Sequence, residues 1–335
     1  GRTEGEIPMK VISGRNVNEL FQIATMSFRS PERLLAQDSR NGEVLSFPTP
    51  VTSVYKYPDE RVLFSPERNC NPFFHFIEGL WMIEGRDDLG TLTMFAKKMA
   101  DFSDDGELVN GAYGYRWREW FGRDQLSKVI DLLKQNPLDR RIVLQMWDPF
   151  RDLGSSSKDV PCNTQVYFRC VNDALDMTVT NRSNDMIWGM YGANAVHFSM
   201  VQEYVASMIG MRLGKYYQVS NNAHIYKEVW EPLDKKLPIG IRGCSYETLE
   251  VEVSPLIDNA YRFDLEIALF FEWLHEGDHS KFEYENSIFN KTAMPMVEAW
   301  WCYKEGMVNE AIDIAKDIQA SDWRKACVEW LERKR

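Results

Sequence analysis

The stretch TQVYFRCVNDALDMTVTNRSNDMIWG, residues 164–189, decides how this chain folds. Thr164–Cys170 and Leu175–Thr180 are strand-like runs, and Val171-Asn172-Asp173-Ala174 between them is a turn. The second run ends in Asn181-Arg182-Ser183-Asn184-Asp185, which crowds polar side chains at a strand end. Upstream, Pro161-Cys162 joins the polar loop Arg151–Asp159 to the first strand. Arg141–Trp147 (RIVLQMW) reads as a buried strand, opened by Arg140-Arg141. Gln125–Gln135 has helical periodicity. Downstream, Asn194 starts a long apolar helix over Ala195–Arg212, and Lys215–Val219 reads as a strand. His224 and Tyr226 follow in the polar stretch SNNAHIY.

Farther upstream, Asn71-Pro72 has the form of a helix start, Asn as N-cap and Pro at the first position. Phe73, Phe74, Phe76, Ile77, Leu80 and Trp81 follow, so this helix is mostly buried and carries one acid, Glu78, before ending near Gly85. A second helical stretch spans Leu89–Met99, and the acidic segment Asp101–Gly111 is a loop. After Pro255 the chain becomes helical, over 259–277, 306–317 and 320–333. The expected class is α+β, a mixed sheet backed by helices. Residues 9–255 form the main domain and 256–335 a helical C-terminal extension. Residues 1–8 are charged and read as a remnant ahead of a native start at Met9.

The formal net charge of −11 excludes broad phosphate-backbone binding, which needs a basic face, so no nucleic-acid partner is expected. A few arginines can still hold one phosphate. The six cysteines form no C-x-x-C pair, so a zinc ribbon is not expected, and no metal is. Scattered cysteines suit reduced thiols in the cytoplasm, or in a host's cytoplasm for a viral protein. No apolar run approaches a membrane span. Most of the 43 aromatic residues, 11 Trp, 14 Tyr and 18 Phe, belong to a large core.

Taken singly, the polar features have ordinary explanations. A lone Cys before a strand is usually an inert thiol, and a double arginine is usually a solvated face. In this order and spacing they point elsewhere. From about Ser39 to Tyr226 the chain resembles the thymidylate synthase superfamily, including its nucleotide hydroxymethylase branch. The resemblance is carried by DRRIVLQMW (139–147), PCN (161–163), NRSNDMIWG (181–189) and NAHIY (222–226). SRNGEVLSF (39–47), FIEGLWMIEG (76–85) and YGYRWR (113–118) match more weakly.

The resemblance implies a folate-dependent one-carbon transfer to C5 of a pyrimidine nucleotide, with 5,10-methylenetetrahydrofolate as co-substrate. Cys162 stands at the nucleophile, whose thiolate adds to C6 of the ring and makes C5 nucleophilic. A thiol needs a cationic neighbour to ionise at neutral pH, a part that falls to Arg182. Glu78 stands at the glutamate that moves protons; in so apolar a helix its pKa should be raised. Tyr113 stands near the nucleophile and assists removal of the C5 proton. Arg40, Arg182 and Ser183 match phosphate-binding positions, and Arg140 and Arg141 match the pair that reaches the phosphate from a partner subunit, so a homodimer with shared sites is implied. His224 and Tyr226 match the pair that binds the sugar hydroxyl, and Asn194 the residue that reads the base. Asp185, Gly189 and Trp81 match positions at the folate.

Departures from the synthase pattern favour water over hydride as the final reactant. Met99 and Phe102 stand where synthases usually have tryptophans, and Asn163 where they usually have histidine. The chain ends in WLERKR rather than a short apolar tail. Separately, GMYGAN (189–194) has one residue more than the corresponding stretch of common synthases, which bears on the loop ahead of Asn194 and not on water. The preferred reaction is therefore dUMP to 5-hydroxymethyl-dUMP. Thymidylate synthesis from dUMP is the alternative, then hydroxymethylation of dCMP or CMP. A member that has lost catalysis and only binds nucleotide is a different class of reading, opposed by the intact Cys162, Glu78 and arginine set.

Overall fold

The computed structural model describes residues 7–30, 34–277 and 282–335. Residues 1–6, most of the leader expected at 1–8, lie outside the described residues. In chain order the strands are β1 (Lys10–Gly14), β2 (Leu35–Ser39), β3 (Gly42–Ser46), β4 (Val51–Tyr55), β5 (Val143–Gln145), β6 (Asn163–Val171), β7 (Ala174–Asn181), β8 (Asn184–Asp185), β9 (Arg212–Ser220) and β10 (Ala223–Tyr226). The helices are α1 (Val17–Phe28), α2 (Pro72–Glu84), α3 (Leu89–Phe95), the single turn α4 (Tyr113–Tyr115), α5 (Gln125–Gln135) and α6 (Asn194–Ile209). They continue with α7 (Lys227–Asp234), α8 (Ala260–Glu276), α9 (Met294–Lys304), α10 (Val308–Ala315) and α11 (Ser321–Glu332).

β6 and β7 pair antiparallel through a turn in which Asn172 (φ 48°) and Asp173 (φ 60°) both take the left-handed conformation that a two-residue hairpin needs. The hairpin belongs to a mixed six-stranded sheet of order β1-β4-β9-β7-β6-β5. A second sheet, β2-β3-β10-β8, has four strands. Three times the chain passes from one sheet to the other within a few residues, at β3 to β4, β7 to β8 and β9 to β10. Where it does so after β7 and β9, the backbones of Asn181 and Asn221, and of Asn184 and Asn222, remain hydrogen-bonded at 2.9 Å. The sheets therefore fork at this point, and a fork exposes the polar side chains of both strand ends.

α2 forms as its sequence predicts. Asn71 caps it by accepting from Phe74 N at 3.1 Å, and Gly85 ends it at φ 80°. It packs so closely on α6 that a Cβ at Gly79 would lie 2.3 Å from Met200 Sδ. On its other flank a Cβ at Gly114 would meet Met82 O at 1.9 Å, so the turn α4 rests directly on the α2 backbone. The C-terminal helices cover α2 as well: Phe73 meets Trp300 and Trp330, and Phe76 meets Trp323 edge-on at 5.0 Å. The last residues, read as WLERKR, belong to the end of α11, with Trp330 and Leu331 buried.

Three expectations need correction. The buried strand expected over Arg141–Trp147 contracts to three residues at the sheet edge, where Val143 is exposed. The run is still buried on one face, with Ile142, Leu144 and Met146 in the core and Val143 facing out. The helix expected over Leu89–Met99 stops at Phe95, because Ala96 is extended, and resumes as a 3₁₀ turn over Lys97–Phe102. The helix expected to run to Arg212 ends at Ile209 with Gly210 at φ 71°, and Arg212 already starts β9. α1 and α9 carry no strong sequence signal; Pro295 sits in the first turn of α9, where its missing N–H costs nothing.

Candidate active site

Cys162 sits at the head of β6, directly under the fork. Its position is fixed from two sides. Arg182 N donates to Cys162 O at 2.9 Å, and the Arg182 guanidinium donates to Pro161 O (2.8 Å) and Val160 O (2.9 Å). These carbonyls hold the guanidinium so that Nη2 lies 3.6 Å from the Cys162 sulfur. Burial pushes the Cys162 thiol above its ordinary pKa, and Arg182 pulls in the opposite direction. The expected cationic neighbour is present, but burial outweighs it. The loop before Cys162 is tied down by Asp159, which accepts from Gly111 N at 2.8 Å, while Asn110 Nδ2 donates to Asp159 O. A fully buried Arg116–Asp152 pair at 2.6 Å fixes the preceding turn.

Tyr113 reaches the same point from α4. The backbone amides of Cys162 and Asn163 face its oxygen, yet burial, with Cys162 and Asp159 adding, raises its pKa well above the usual phenol value. Its ring stacks on His197 at 6.3 Å and 15°. Asn163 is buried with both amide atoms unpartnered in the protein.

Glu78 enters from α2. Burial, then the charge of Asp159, pushes its carboxyl up to about 8, in the direction expected for an acid in an apolar helix. Its Oε1 has no hydrogen-bond partner and lies 4.0 Å from His197 Nε2. At neutral pH this carboxyl is mostly protonated and able to give a proton.

At the β7–β8 connection Ser183 Oγ is 3.4 Å from His224 Nδ1, and the His224 ring meets Tyr226 edge-on at 5.6 Å. His224 pairs in register with Asp185. Asp185 Oδ1 caps the next segment by accepting from Ile187 N (2.7 Å) and Trp188 N (2.8 Å), while Oδ2 is buried without a partner. Burial raises the Asp185 pKa against those amides and His224. An acceptor oxygen held this way suits a paired N–H group such as a pterin edge presents. Next to it Trp188 is half exposed, its ring stacked on Arg68 at 4.3 Å, and Arg68 donates to Ile187 O.

Met186–Ala193 is wound as a π-helix, kinked at Tyr191 and Gly192. Such a turn accommodates the additional residue noted in GMYGAN and delivers Asn194 to the start of α6. Gly189 has to be glycine here, since a Cβ would lie 2.6 Å from Asn184 Oδ1 and 3.4 Å from Asn194 Nδ2.

Not every predicted residue converges. Arg40 lies at the β2–β3 turn and reaches the loop before Cys162, donating to Lys158 O at 3.0 Å. Arg140 and Arg141 stand exposed ahead of β5; the Arg141 side chain is 88% exposed and pairs with its neighbour Asp139. Trp81 is buried and gives its indole N–H to Asp88. Among the described residues no cluster of metal-ligating side chains occurs, and no helix is long and apolar enough to cross a membrane. Sequence reasoning missed His197, Asn184, Gln218 and Arg68. Only His197 left a local signal, three residues after Asn194 on one helix face.

Comparison with known proteins agrees with this arrangement. Residues 68–267 match the family model of thymidylate synthase. A deoxyuridylate hydroxymethyltransferase of Pseudomonas phage M6 is 45% identical, over 98% of this chain and 95% of that one. One from Bacillus phage SP01 is 33% identical over 75% of this chain and 67% of its own. The thymidylate synthase of Bos taurus is 30% identical over 52% of this chain and 55% of its own. The family match over residues 68–267 and the 45% identical relative over nearly its full length make the chain a member of the thymidylate synthase family.

Proposed function

We propose that this protein converts dUMP to 5-hydroxymethyl-dUMP, taking the carbon from 5,10-methylenetetrahydrofolate and the hydroxyl oxygen from water. The observation that carries the proposal is the Cys162 sulfur 3.6 Å from the Arg182 guanidinium at the fork that also presents Asn194. The name borne by the two phage relatives supports it.

The Cys162 thiolate adds to C6, and the electron pair released at C5 forms the bond to the incoming carbon. The C5 proton then leaves, with Tyr113 beside the nucleophile to take part in its removal. Tetrahydrofolate departs, leaving an exocyclic methylene on the ring. Water adds its oxygen to that methylene, the C6–S bond breaks, and the thiolate is restored. Nothing is oxidised or reduced overall, so no dihydrofolate forms. Glu78 moves protons in these steps, and its pKa near 8 suits traffic in either direction near neutrality. Arg40, Arg182 and Ser183 bind phosphate, His224 and Tyr226 the sugar hydroxyl, and Asn194 the base. Asp185 Oδ2 takes the pterin, with Gly189 beside it, whereas Trp81 is held away in the core by Asp88. Asn163, buried one residue beyond the nucleophile with donor and acceptor both unspent, gives water a place to be held.

The active form is a homodimer. Val143 on the edge strand and its cross-strand partner Tyr167 are exposed, Phe150 nearby in sequence is almost fully exposed, and Arg140 and Arg141 are exposed just ahead of β5. These arginines complete the partner's phosphate site. Residues 9–255 carry the chemistry, 256–335 brace α2, and the reaction takes place in the cytoplasm, a host's if the protein is viral.

Mass analysis of the product from dUMP, dCMP, UMP and CMP tests the reaction: 5-hydroxymethyl-dUMP without the absorbance rise of dihydrofolate is expected. Dihydrofolate in step with product would make the enzyme a synthase. Subunit mixing tests the dimer. Inactive Cys162→Ala and Arg141→Ala chains should regain activity together, because one hybrid site holds both wild-type residues; no recovery after verified exchange would exclude shared sites.

A further inference from the structure

An amide side chain looks nearly the same either way round, but its two orientations read opposite bases. Uracil offers O4 as acceptor and N3–H as donor; cytosine offers an amine as donor and N3 as acceptor. Asn194 therefore selects a base only if something fixes its orientation. We propose that a buried relay, Tyr216–Gln218–Asn184–Asn194–His197, fixes it for uracil, so that the preference is set by side chains sealed behind the one that reads the base. The inference rests on the assignment of Asn194 as base reader.

The relay runs head to tail. Gln218 Nε2 donates to Tyr216 Oη at 2.6 Å. Asn184 Nδ2 donates to Gln218 Oε1 and, at 3.1 Å, to Ser220 Oγ. Asn194 Nδ2 donates to Asn184 Oδ1 at 3.2 Å, and Asn194 Oδ1 is 2.9 Å from His197 Nε2. All five side chains are buried, Tyr216 and Gln218 completely. Turning Asn194 alone would set its oxygen against Asn184 Oδ1. Turning Asn184 as well would set oxygen against Gln218 Oε1. Only the whole relay can reverse, and a partial reversal strands a buried polar group, which is costly.

The His197 end decides which of the two whole-relay states holds, because the Tyr216 hydroxyl can accept from Gln218 or donate to it. Tyr216 is stacked on Tyr55 at 4.7 Å and 14°, and its hydroxyl accepts from Gln218. At the other end burial, with His75 adding, lowers the His197 pKa to about 3, so the imidazole is neutral and has one N–H to place. Its Nδ1 faces the Met82 thioether, a weak acceptor, and its Nε2 faces the Asn194 carbonyl oxygen, a strong one. The proton belongs on Nε2. Glu78 Oε1, 4.0 Å away, is the other titratable group beside that nitrogen. Asn194 is then left with one N–H for O4 and one lone pair for N3–H.

The test compares dissociation constants and kcat/KM for dUMP and dCMP across full-length variants. Tyr216→Phe removes a single sealed oxygen without changing shape; it strands the Gln218 N–H in the uracil-reading state but only the Gln218 carbonyl in the reversed one, and since the stranded N–H is the costlier loss the dUMP:dCMP ratio should fall roughly three-fold. Gln218→Leu removes both polar atoms of its link and should lower the ratio about ten-fold or more. Gln218→Glu should keep the ratio, since its oxygen still accepts from Asn184 while Tyr216 turns to donate. A purely structural role would weaken both nucleotides equally. Tyr216→Phe with an unchanged ratio, or a wild type that binds dCMP as tightly as dUMP, would overturn the relay. Because binding is measured apart from turnover, failure of the hydroxymethylase assignment would show separately, as the wrong product or none.

Discussion

The arginine–thiol corner at Cys162, which we propose binds phosphate, and the amide corner at Asn194, which we propose reads the base, use opposite physics. At the first, Arg182 and Arg40 spend their donors on backbone carbonyls of the loop before Cys162, and both stay partly open to water. At the second, Asn184, Asn194, His197 and Gln218 are buried and hold one another by neutral hydrogen bonds. An open cationic corner attracts any phosphate, and water screens its errors. A buried neutral corner discriminates sharply because no water is available to repair a mismatch. Affinity and selectivity are thereby assigned to different side chains.

The largest test separates chemistry from both corners. Cys162→Ala should abolish turnover and exchange of the C5 hydrogen while dUMP still binds, because Arg182 keeps its hold on Pro161 and Val160. Cys170, Cys244 and Cys302 should be replaceable with little loss. Substantial turnover by Cys162→Ala would end the thiolate mechanism.

Glu78→Gln should lower kcat by about a hundred-fold or more, since it keeps the shape of the side chain and removes its proton traffic. Stability should change in a direction set by the raised pKa. A carboxyl at about 8 when folded and near 4.5 when unfolded holds more protons in the folded chain, so wild-type stability falls as pH rises between those values. The loss is on the order of a few kcal/mol. Glu78→Gln escapes it, so its melting temperature relative to wild type should rise from pH 5 to pH 8. A constant difference would show that Glu78 titrates at an ordinary value.

How far the sequence reached follows the same division. The β6–β7 hairpin, the capped α2, α5 and the Cys162–Arg182 corner were legible because their signals are local: an Asn-Asp turn, an Asn-Pro start, a strand end crowded with polar residues. β5 is over-read only in length: Ile142, Leu144 and Met146 are buried as the apolar run suggests, but pairing with β6 covers just three residues. The buried relay was invisible because its members, at 184, 194 and 218, meet only through the folding of three segments. Asn194 itself is found by resemblance; Asn184 lies within NRSNDMIWG but nothing local marks it as a partner of Asn194, and Gln218 and His197 lie outside the motifs.

Asn194→Asp sharpens the comparison at the base. A carboxylate accepts from the cytosine amine and cannot donate to uracil O4, so the dUMP:dCMP ratio of kcat/KM should fall by roughly ten- to a hundred-fold. Arg182 and its hold on phosphate are untouched, so the affinity for inorganic phosphate should match wild type. If dCMP is already the better wild-type substrate, the base assignment is wrong.

The smallest expected effect is the most direct comparison of the corners. Raising ionic strength shortens the screening length from about 10 Å at 0.1 M to about 3 Å at 1 M. Arg40 is exposed and the Arg182 guanidinium partly so, and their attraction for phosphate acts partly through solvent. KM for dUMP should therefore rise a few-fold over that range. The relay carries no net charge and is sealed from solvent, so salt has no route to it. KM for dCMP should rise by the same factor, leaving the dUMP:dCMP ratio constant. A ratio that moved with salt would mean that charge, not amide orientation, takes part in choosing the base, with Glu78 beside His197 as the first group to suspect.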